Sequence, residues 1–450
     1  MSARSQVTAL LAIITEAAYS ALGAYEESGT PTPTLNDVDG HALDNAFDTI
    51  RLKKIISKLE GACEQLCTTL SPPSHTIMNR AQDFGWACLR VAVKQRFADE
   101  LLGLPSGLHI NELSERVHVH PMKLGSVLRV LAARHCFREV SPNVFANNRL
   151  SISLVSDKSL SAMVDLLTHA GGQPHAALLA DYLVDPEYGH SLSMDKALYQ
   201  YANKEKWTHG MTFYEFLQLK ENQGYRQVMM KAMISMNQTI GSLSALPAYP
   251  WSEVRSVCDV GSGMGGFSRA LLDAFTHIHV AQFDLPPTIA IAKQQWPDGY
   301  RNRTTFIEGD FLMEIPALNY DVYYLRNILH NWTDEKVVTI LKVVRAAMGP
   351  QSRVLVHDHV LRHMSPPSET DSDGLDLAPE PMLPNYGAGA IRLYHQDLTM
   401  MMVYNSKERS TNETIKLGKD AQLRVVKVYD LAEMCLIEFA KEDEGEDKTV

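Results

Sequence analysis

The spacing of apolar and polar residues changes character along the chain. From Val7 to Tyr25 apolar residues dominate but Glu16 interrupts them, which predicts an amphipathic helix. The linker Gly29-Thr-Pro-Thr-Pro-Thr34 follows. A second helix is expected where Ile50, Ile55, Ile56, Leu59, Cys63 and Leu66 recur on a 3.6-residue period. After Ser71-Pro-Pro73 a third helix is predicted from Met78 to Leu102. Leu108 to Val117 reads as a short helix with Asn111 as its cap. Beyond His120-Pro121, Met122 to Ala133 presents Leu124, Leu128 and Leu131 on one face. Cys136 to Val140 and Val144-Phe145 then form a hairpin about Ser141-Pro-Asn143. Helix, turn, helix and two-stranded wing make a winged-helix module. Residues 176 to 237 read as mostly helical and rich in Met and aromatics, including Trp207, Phe213, Phe216, Tyr225, Met229 and Met233. Such stripes serve as core or as the wall of a pocket for flat ligands.

From Val254 the period shifts. Strands at Val254–Val260, His277–Phe283, Tyr320–Leu325 and Arg353–Val356 alternate with helical patterns. One of these helices, capped by Thr333, buries Val337, Ile340, Leu341 and Val344 and stops at Gly349-Pro350. This alternation predicts a doubly wound α/β sheet. Residues 363–389 are Pro-, Gly- and Asp-rich, a surface loop or a lid, and two further strands are expected near 423–429 and 434–439. An acidic tail closes the chain and is expected to be disordered.

Composition narrows the function. At 450 residues, 45% hydrophobic and 21% charged, this is ordinary globular composition. A net charge of −11 argues against nucleic-acid or anionic-membrane surfaces. The six cysteines are scattered, and Cys63 and Cys67 lie one helical turn apart as a small-residue stripe. These features point to the reducing cytoplasm. No stretch reaches the roughly 18 uninterrupted apolar residues of a membrane span, and the interrupted N-terminal run is not read as a signal peptide.

The chemistry concentrates between Val254 and Asp310. Gly261-Ser-Gly263-Met-Gly265-Gly266 joins the first strand to a helix, where glycines admit a ligand to the backbone. The glycines alone satisfy both a dinucleotide fingerprint and an S-adenosylmethionine (SAM) pattern. Of three nearby acids, Asp259 and Asp310 favour SAM, and Asp284 suits either ligand. Asp259, two residues before the first glycine, is placed to hold an ammonium group. Asp284 ends the second strand, where it can meet ribose hydroxyls. Gly309-Asp310 follows the third, where an acid can meet an adenine amine.

Five segments carry a resemblance: Asp259-Val-Gly-Ser-Gly-Met-Gly-Gly, Phe283-Asp-Leu-Pro286, Glu308-Gly-Asp-Phe311, Leu325-Arg-Asn-Ile-Leu-His-Asn-Trp-Thr-Asp334 and Asn405-Ser-Lys-Glu-Arg409. Over about residues 76–440 the chain resembles SAM-dependent O-methyltransferases of the plant caffeate/flavonoid type, in their fungal branch. The resemblance implies a helical extension (1–75), a mainly α-helical winged-helix dimerisation domain (76–245) and a Rossmann-like doubly wound methyltransferase domain (246–450). It implies a homodimer acting on a small aromatic hydroxyl-bearing substrate, without nucleic acid, membrane or metal. Asp259, Gly261 and Gly263 would lie at the methionine part of SAM. Asp284 and its neighbour Leu285 would meet the ribose, Asp310 and Phe311 the adenine, and Arg326 the cofactor's polar rim. His330 would be the catalytic base, oriented by Asp358 and Glu408. Met229, Met233, Met401 and Asn405 would form the substrate wall. Arg326 stands where lysine is common, and Asp358 is shorter than the usual glutamate, which leaves its distance to His330 open.

General chemistry agrees with a histidine there. A phenol of pKa near 10 is ionised to about one part in 10³ at pH 7, so a base in hydrogen-bond reach contributes about 10²–10⁴ in rate. His357-Asp-His359 and His277-Ile-His279 suggest a metal site, but alternation in a strand turns Asp358 away from both its neighbours. Three other readings stay open: an NAD-dependent oxidoreductase, a ligand-responsive winged-helix regulator, and a methyltransferase fold repurposed for a non-methylating reaction with SAM as structural cofactor.

Overall fold

A doubly wound sheet forms where strand and helix alternate in the sequence. The computed structural model describes residues 1–442 except 45, 47, 170–172, 208–210, 240, 242 and 367–373, and the side chains of 237 and 238. The acidic tail beyond 442 and part of the 363–389 loop therefore lie outside the described residues. Two compact units emerge: Met1–Ile13, Phe47–Ala62 and Ile240–Val450 in one, Ile14–Ala46 and Cys63–Thr239 in the other.

The smaller sheet, in the second unit, comprises β1 (Leu108–His109), β2 (Arg138–Ser141) and β3 (Val144–Ala146), ordered β1-β3-β2 and antiparallel. It accompanies the helices Ile110–Val117 and Pro121–Ala133. Leu113, Leu124, Leu128, Leu131, Phe137 and Phe145 close this core. Two expectations need correction. The third helix breaks into Pro73–Ala81, Gly85–Lys94 and Phe97–Glu100. Arg96 takes a left-handed φ of 56°, and Asp83 accepts the Gly85 N–H, so one turn ends and the next begins. Leu108 and His109 pair as a strand instead of opening a helix, and the cap is the His109 ring, which accepts the Asn111 N–H. The described residues of 176–237 are mostly helical, as expected, with Gln223–Thr239 the longest helix, and carry an aromatic cluster in which Trp207 stacks on Phe216 at 4.6 Å and Tyr199 packs edge-on against Phe213.

The larger sheet contains β4 (Ser256–Val260), β5 (His279–Asp284), β6 (Thr304–Glu308), β7 (Val322–Arg326), β8 (Arg353–Asp358), β9 (Leu423–Asp430) and β10 (Cys435–Lys441). Their order is β6-β5-β4-β7-β8-β10-β9, parallel through β8, with β10 antiparallel to both neighbours. β4 is flanked by β5 on one side and β7 on the other, so the chain reverses its winding there. In open α/β sheets ligands bind beyond the strand ends at this switch point. Helix Asp334–Ala347 buries Val337, Ile340, Leu341 and Val344 against Cys258, Val260, Tyr323, Leu325 and Val356, as the 3.6-residue spacing predicts. Thr333 sits at the N-cap of that helix but makes no side-chain capping bond. Helix Ala3–Glu27 is long and apolar enough, by length and composition alone, to cross a membrane. Its buried Leu10, Ile13, Ala17 and Ala21 recur three or four residues apart, the stripe of an amphipathic helix.

Candidate active site

β4 delivers Asp259 to its C-terminal end, where the carboxylate is buried and its Oδ2 accepts the Ser268 hydroxyl at 2.6 Å. Burial raises its pKa to about 6, against the Ser268 hydrogen bond and the Arg326 charge, which pull it down. A carboxylate strained in this way is stabilised by a cationic partner. Gly261 follows with φ 71° and donates its N–H to the Phe283 carbonyl at 2.8 Å. A Cβ on Gly261 would stand 2.3 Å from Ile328 Cδ1, so the turn packs against the segment leading to His330. Gly263, at φ 57°, faces open space where a Cβ would lie. Its N–H reaches Asp284 Oδ2 at 2.8 Å, while Asp284 Oδ1 accepts the Leu285 N–H at 2.7 Å. Burial raises the Asp284 pKa, and the two backbone donors offset that in part. An open glycine turn beside the buried Asp259 and half-buried Asp284 carboxylates is a cradle that fits a cationic amino-acid and ribose ligand.

After β6, Asp310 Oδ1 accepts the Leu312 N–H at 2.8 Å, and Phe311 meets Trp332 edge-on with centroids 5.9 Å apart. Arg326 ends β7. The Leu285 side chain is about half exposed at the start of helix Pro286–Gln295. All eight sequence-assigned cofactor positions thus fall at or just beyond the C-terminal ends of β4, β5, β6 and β7.

His330 rides on a single 3-10 turn, Leu329–Asn331, and is buried. Its Nδ1 lies 2.7 Å from Oε1 of the fully buried Glu408, whose own N–H donates to Asp397 Oδ1 at 2.8 Å. Burial opposes a charged imidazole, yet the charge and hydrogen bond of Glu408 and the charge of Asp358 together raise the His330 pKa to about 9. Asp358 ends β8 and lines the same small cavity as His330, His359, Glu408 and Arg409. Burial raises its pKa, the His330 charge lowers it and Glu408 raises it. Glu408 makes the hydrogen bond to His330; Asp358 Oδ1 has no hydrogen-bond partner among the described residues.

The expectation that Asp358 turns away from both neighbours is corrected at His359. β8 stops at Asp358, so alternation no longer governs the next residue, and the His359 ring lies 6.5 Å from that of His330 in the same cavity. His357, still inside the strand, is hydrogen-bonded to the Tyr324 hydroxyl at 2.6 Å.

The substrate-wall residues divide. Met401 is half-buried on helix Ile391–Tyr404, and Asn405 follows in the left-handed region (φ 52°), its N–H on the Met401 carbonyl at 3.1 Å, as a helix C-cap. Met229 and Met233 belong to the second unit, where they pack with Ala162, Leu166 and Ala232. Arg409 closes the segment Asn405-Ser-Lys-Glu-Arg409, and nothing in its sequence position signals its role. Its guanidinium grips the carbonyls of Leu329 and Trp332 and the Asp334 carboxylate.

Residues 194–424 match the family model for an O-methyltransferase domain. The chain is 37% identical over 448 residues to 3-O-methyltransferase 2 of Phanerochaete chrysosporium strain RP-78, covering 97% of this chain and 98% of that one. It is 29% identical over 416 residues to O-methyltransferase tpcA of Aspergillus fumigatus strain Af293, covering 84% and 85%. Among solved structures, TnmH aligns with a TM-score of 0.63 at 27% identity, over 82% of this chain and 98% of TnmH. A structure titled as a pericyclic reaction enzyme aligns with a TM-score of 0.67 at 18% identity, over 88% and 95% of the two chains, which is a likeness of fold.

Proposed function

The chain belongs to the O-methyltransferase family, enzymes that use SAM, and we propose that it methylates a hydroxyl of a small aromatic, phenolic or polyketide-like acceptor with His330 as general base. The observation that carries this reading is the 2.7 Å contact between His330 Nδ1 and buried Glu408, at the same edge of the sheet as Asp259 and Asp284. SAM, when bound, supplies an electrophilic methyl group. Asp259 would hold its ammonium, Asp284 with Leu285 its ribose, Asp310 and Phe311 its adenine, and Arg326 its polar rim, around the Gly261–Gly263 turn.

Glu408 accepts the Nδ1 proton and so fixes the tautomer, leaving Nε2 to take the proton of the acceptor hydroxyl. With the His330 pKa at about 9, proton transfer from a phenol of pKa near 10 is close to balanced. An unperturbed histidine near 6.5 would face a gap of about 3.5 units, roughly 5 kcal/mol. The cost is that little of the imidazole is neutral at pH 7. Met401 and Asn405, just upstream of Glu408, supply part of the acceptor's wall in this reading.

The names of the Phanerochaete relatives, 3-O-methyltransferase 2 and 4-O-methyltransferase 1, support a hydroxyl acceptor. The deciding experiment incubates the purified protein with labelled SAM and a panel of small phenols and identifies products by mass. Absence of labelled product across acceptors, with SAM bound, would favour a repurposed fold, the direction in which the pericyclic neighbour points. Asp284→Ala should weaken SAM binding about ten- to a hundredfold, the cost of one charged hydrogen-bond acceptor (about 1.5–3 kcal/mol). Unchanged affinity by calorimetry would remove the cofactor assignment. We place the enzyme in the cytoplasm as a homodimer, a state supported by exposed apolar side chains such as Phe84, Met122 and Val130 in the second unit. Light scattering at micromolar concentration should return about twice the 50.2 kDa chain mass; a stable monomer would refute it.

A further inference from the structure

We propose that Arg409 is a positioning residue for the base: it holds the backbone turn that carries His330 at the place where Glu408 meets the ring. The proposal rests on the reading of His330 as the base. Arg409 is buried, with 5% of its surface exposed. Its Nη1 donates to the Leu329 carbonyl at 2.9 Å and its Nη2 to the Trp332 carbonyl at 2.5 Å, one on each side of His330. Nε donates to Asp334 Oδ1 at 2.8 Å, just inside the following helix. The Ser406 hydroxyl adds a second donor to the Trp332 carbonyl at 2.9 Å.

The backbone of Arg409 is anchored as well. It bridges Val360 in parallel pairing and accepts the Leu361 N–H at 2.9 Å, immediately after Asp358. One residue therefore ties the His330 turn to the segment bearing Glu408 and to the end of β8.

The residue type suits the task. A single turn of 3-10 helix satisfies few of its own carbonyls, and buried carbonyls need donors. The planar guanidinium spans two carbonyls and a carboxylate at once, which an ammonium cannot do in fixed geometry. Its charge also acts on His330, which is faced by Glu408, Asp358, His359 and Arg409. The Arg409 charge opposes protonation of the imidazole, whereas Glu408 and Asp358 favour it.

The test compares Arg409→Gln, Arg409→Lys and Asp334→Asn with wild type, measuring kcat, acceptor KM, SAM affinity by calorimetry, Tm, and kcat against pH. Arg409→Gln should lower kcat about tenfold or more, the scale of a small misplacement of a catalytic group. SAM affinity should stay within about twofold. The limb on which kcat rises with pH should move to higher pH, because a charge opposing the imidazolium is gone. Arg409→Lys keeps the charge but not the fork, so kcat falls while that limb stays near the wild-type position. Wild-type kcat and pH profile in both variants would overturn the proposal. So would equal losses of SAM affinity and kcat with an unmoved limb, the signature of a purely structural arginine. Should Arg409→Gln fail to fold, Asp334→Asn, altered at a half-exposed carboxylate, is expected to lose several-fold in kcat at unchanged Tm; unchanged kcat there also overturns it. His330→Gln, run in parallel, separates the two readings. Wild-type methylation by that variant removes the base assignment, whereas its inactivity beside wild-type Arg409 variants removes this proposal alone.

Discussion

Replacing His330 by alanine should cut methyl transfer about 10²-fold or more near neutral pH while leaving SAM affinity nearly intact. The two effects separate because most groups that would hold SAM, the Gly261–Gly263 turn with Asp259, Asp284 and Asp310, stand at the ends of β4, β5 and β6; Arg326 alone shares β7 with the segment that leads to His330. His330→Gln preserves more of the local shape and should lose less in stability but as much in proton transfer. Raising the pH toward the acceptor's own pKa should rescue both variants in part, because solvent then supplies the phenolate. Initial rates with labelled SAM across pH 6 to 10, beside calorimetry of SAM binding, decide it. If the variants methylate the true acceptor at wild-type rate at pH 7, His330 is not the base and positioning of the reactants carries the reaction alone.

The sequence made some of this site readable and hid the rest for identifiable reasons. Val337, Ile340, Leu341 and Val344 announced their helix because a period of 3.6 needs only local information. The strand-to-glycine turn at Val260-Gly261 announces a ligand-binding turn by local signals alone, whereas the switch point it occupies depends on strand order. Boundaries slipped by about two residues, as with Val254 against the observed start at Ser256, because apolar residues continue past the last paired one. The break at Arg96 could not be read, since nothing in an arginine signals a left-handed φ. Asn is the residue type that usually caps, so nothing local marks His109 rather than Asn111 as the cap. Two capping boxes are local signals of the helices they open: Thr212 with Glu215 before Phe213–Gln218, and Ser410 with Glu413 before Thr411–Asp420. Arg409 was the opposite case. Its partners Leu329 and Trp332 lie nearly eighty positions upstream, and only the sheet order that brings β7 and β8 together makes the contact. His359 escapes the strand alternation because β8 ends one residue before it.

Neutralising Glu408 should shift the pH dependence of the reaction toward acid. In the wild type, burial disfavours the charged imidazole, but Glu408 by charge and hydrogen bond, and Asp358 by charge, raise the His330 pKa to about 9. The base is the neutral form, so kcat should climb as pH rises toward 9 and level off above it; only about 1% of the imidazole is neutral at pH 7. Glu408→Gln removes the principal stabiliser of the charged form while keeping the shape of the side chain. The His330 pKa should fall toward the ordinary value near 6.5, moving the limb down by about two units. Two effects then oppose each other at neutral pH: more of the histidine is free to accept a proton, but it is a weaker base and less firmly oriented. At pH 9 or above only the second survives, so the loss relative to wild type should be largest there, about tenfold or more, and smaller at pH 7. Asp358→Asn, which acts through charge without a hydrogen bond to the ring, should move the limb in the same direction by less. Profiles of kcat from pH 6 to 10 at saturating acceptor, with His330→Gln as the control for ionisation of the acceptor itself, resolve the shift. A limb that stays in place in Glu408→Gln would mean that Glu408 does not set the protonation of His330, and the buried pair would then be structural.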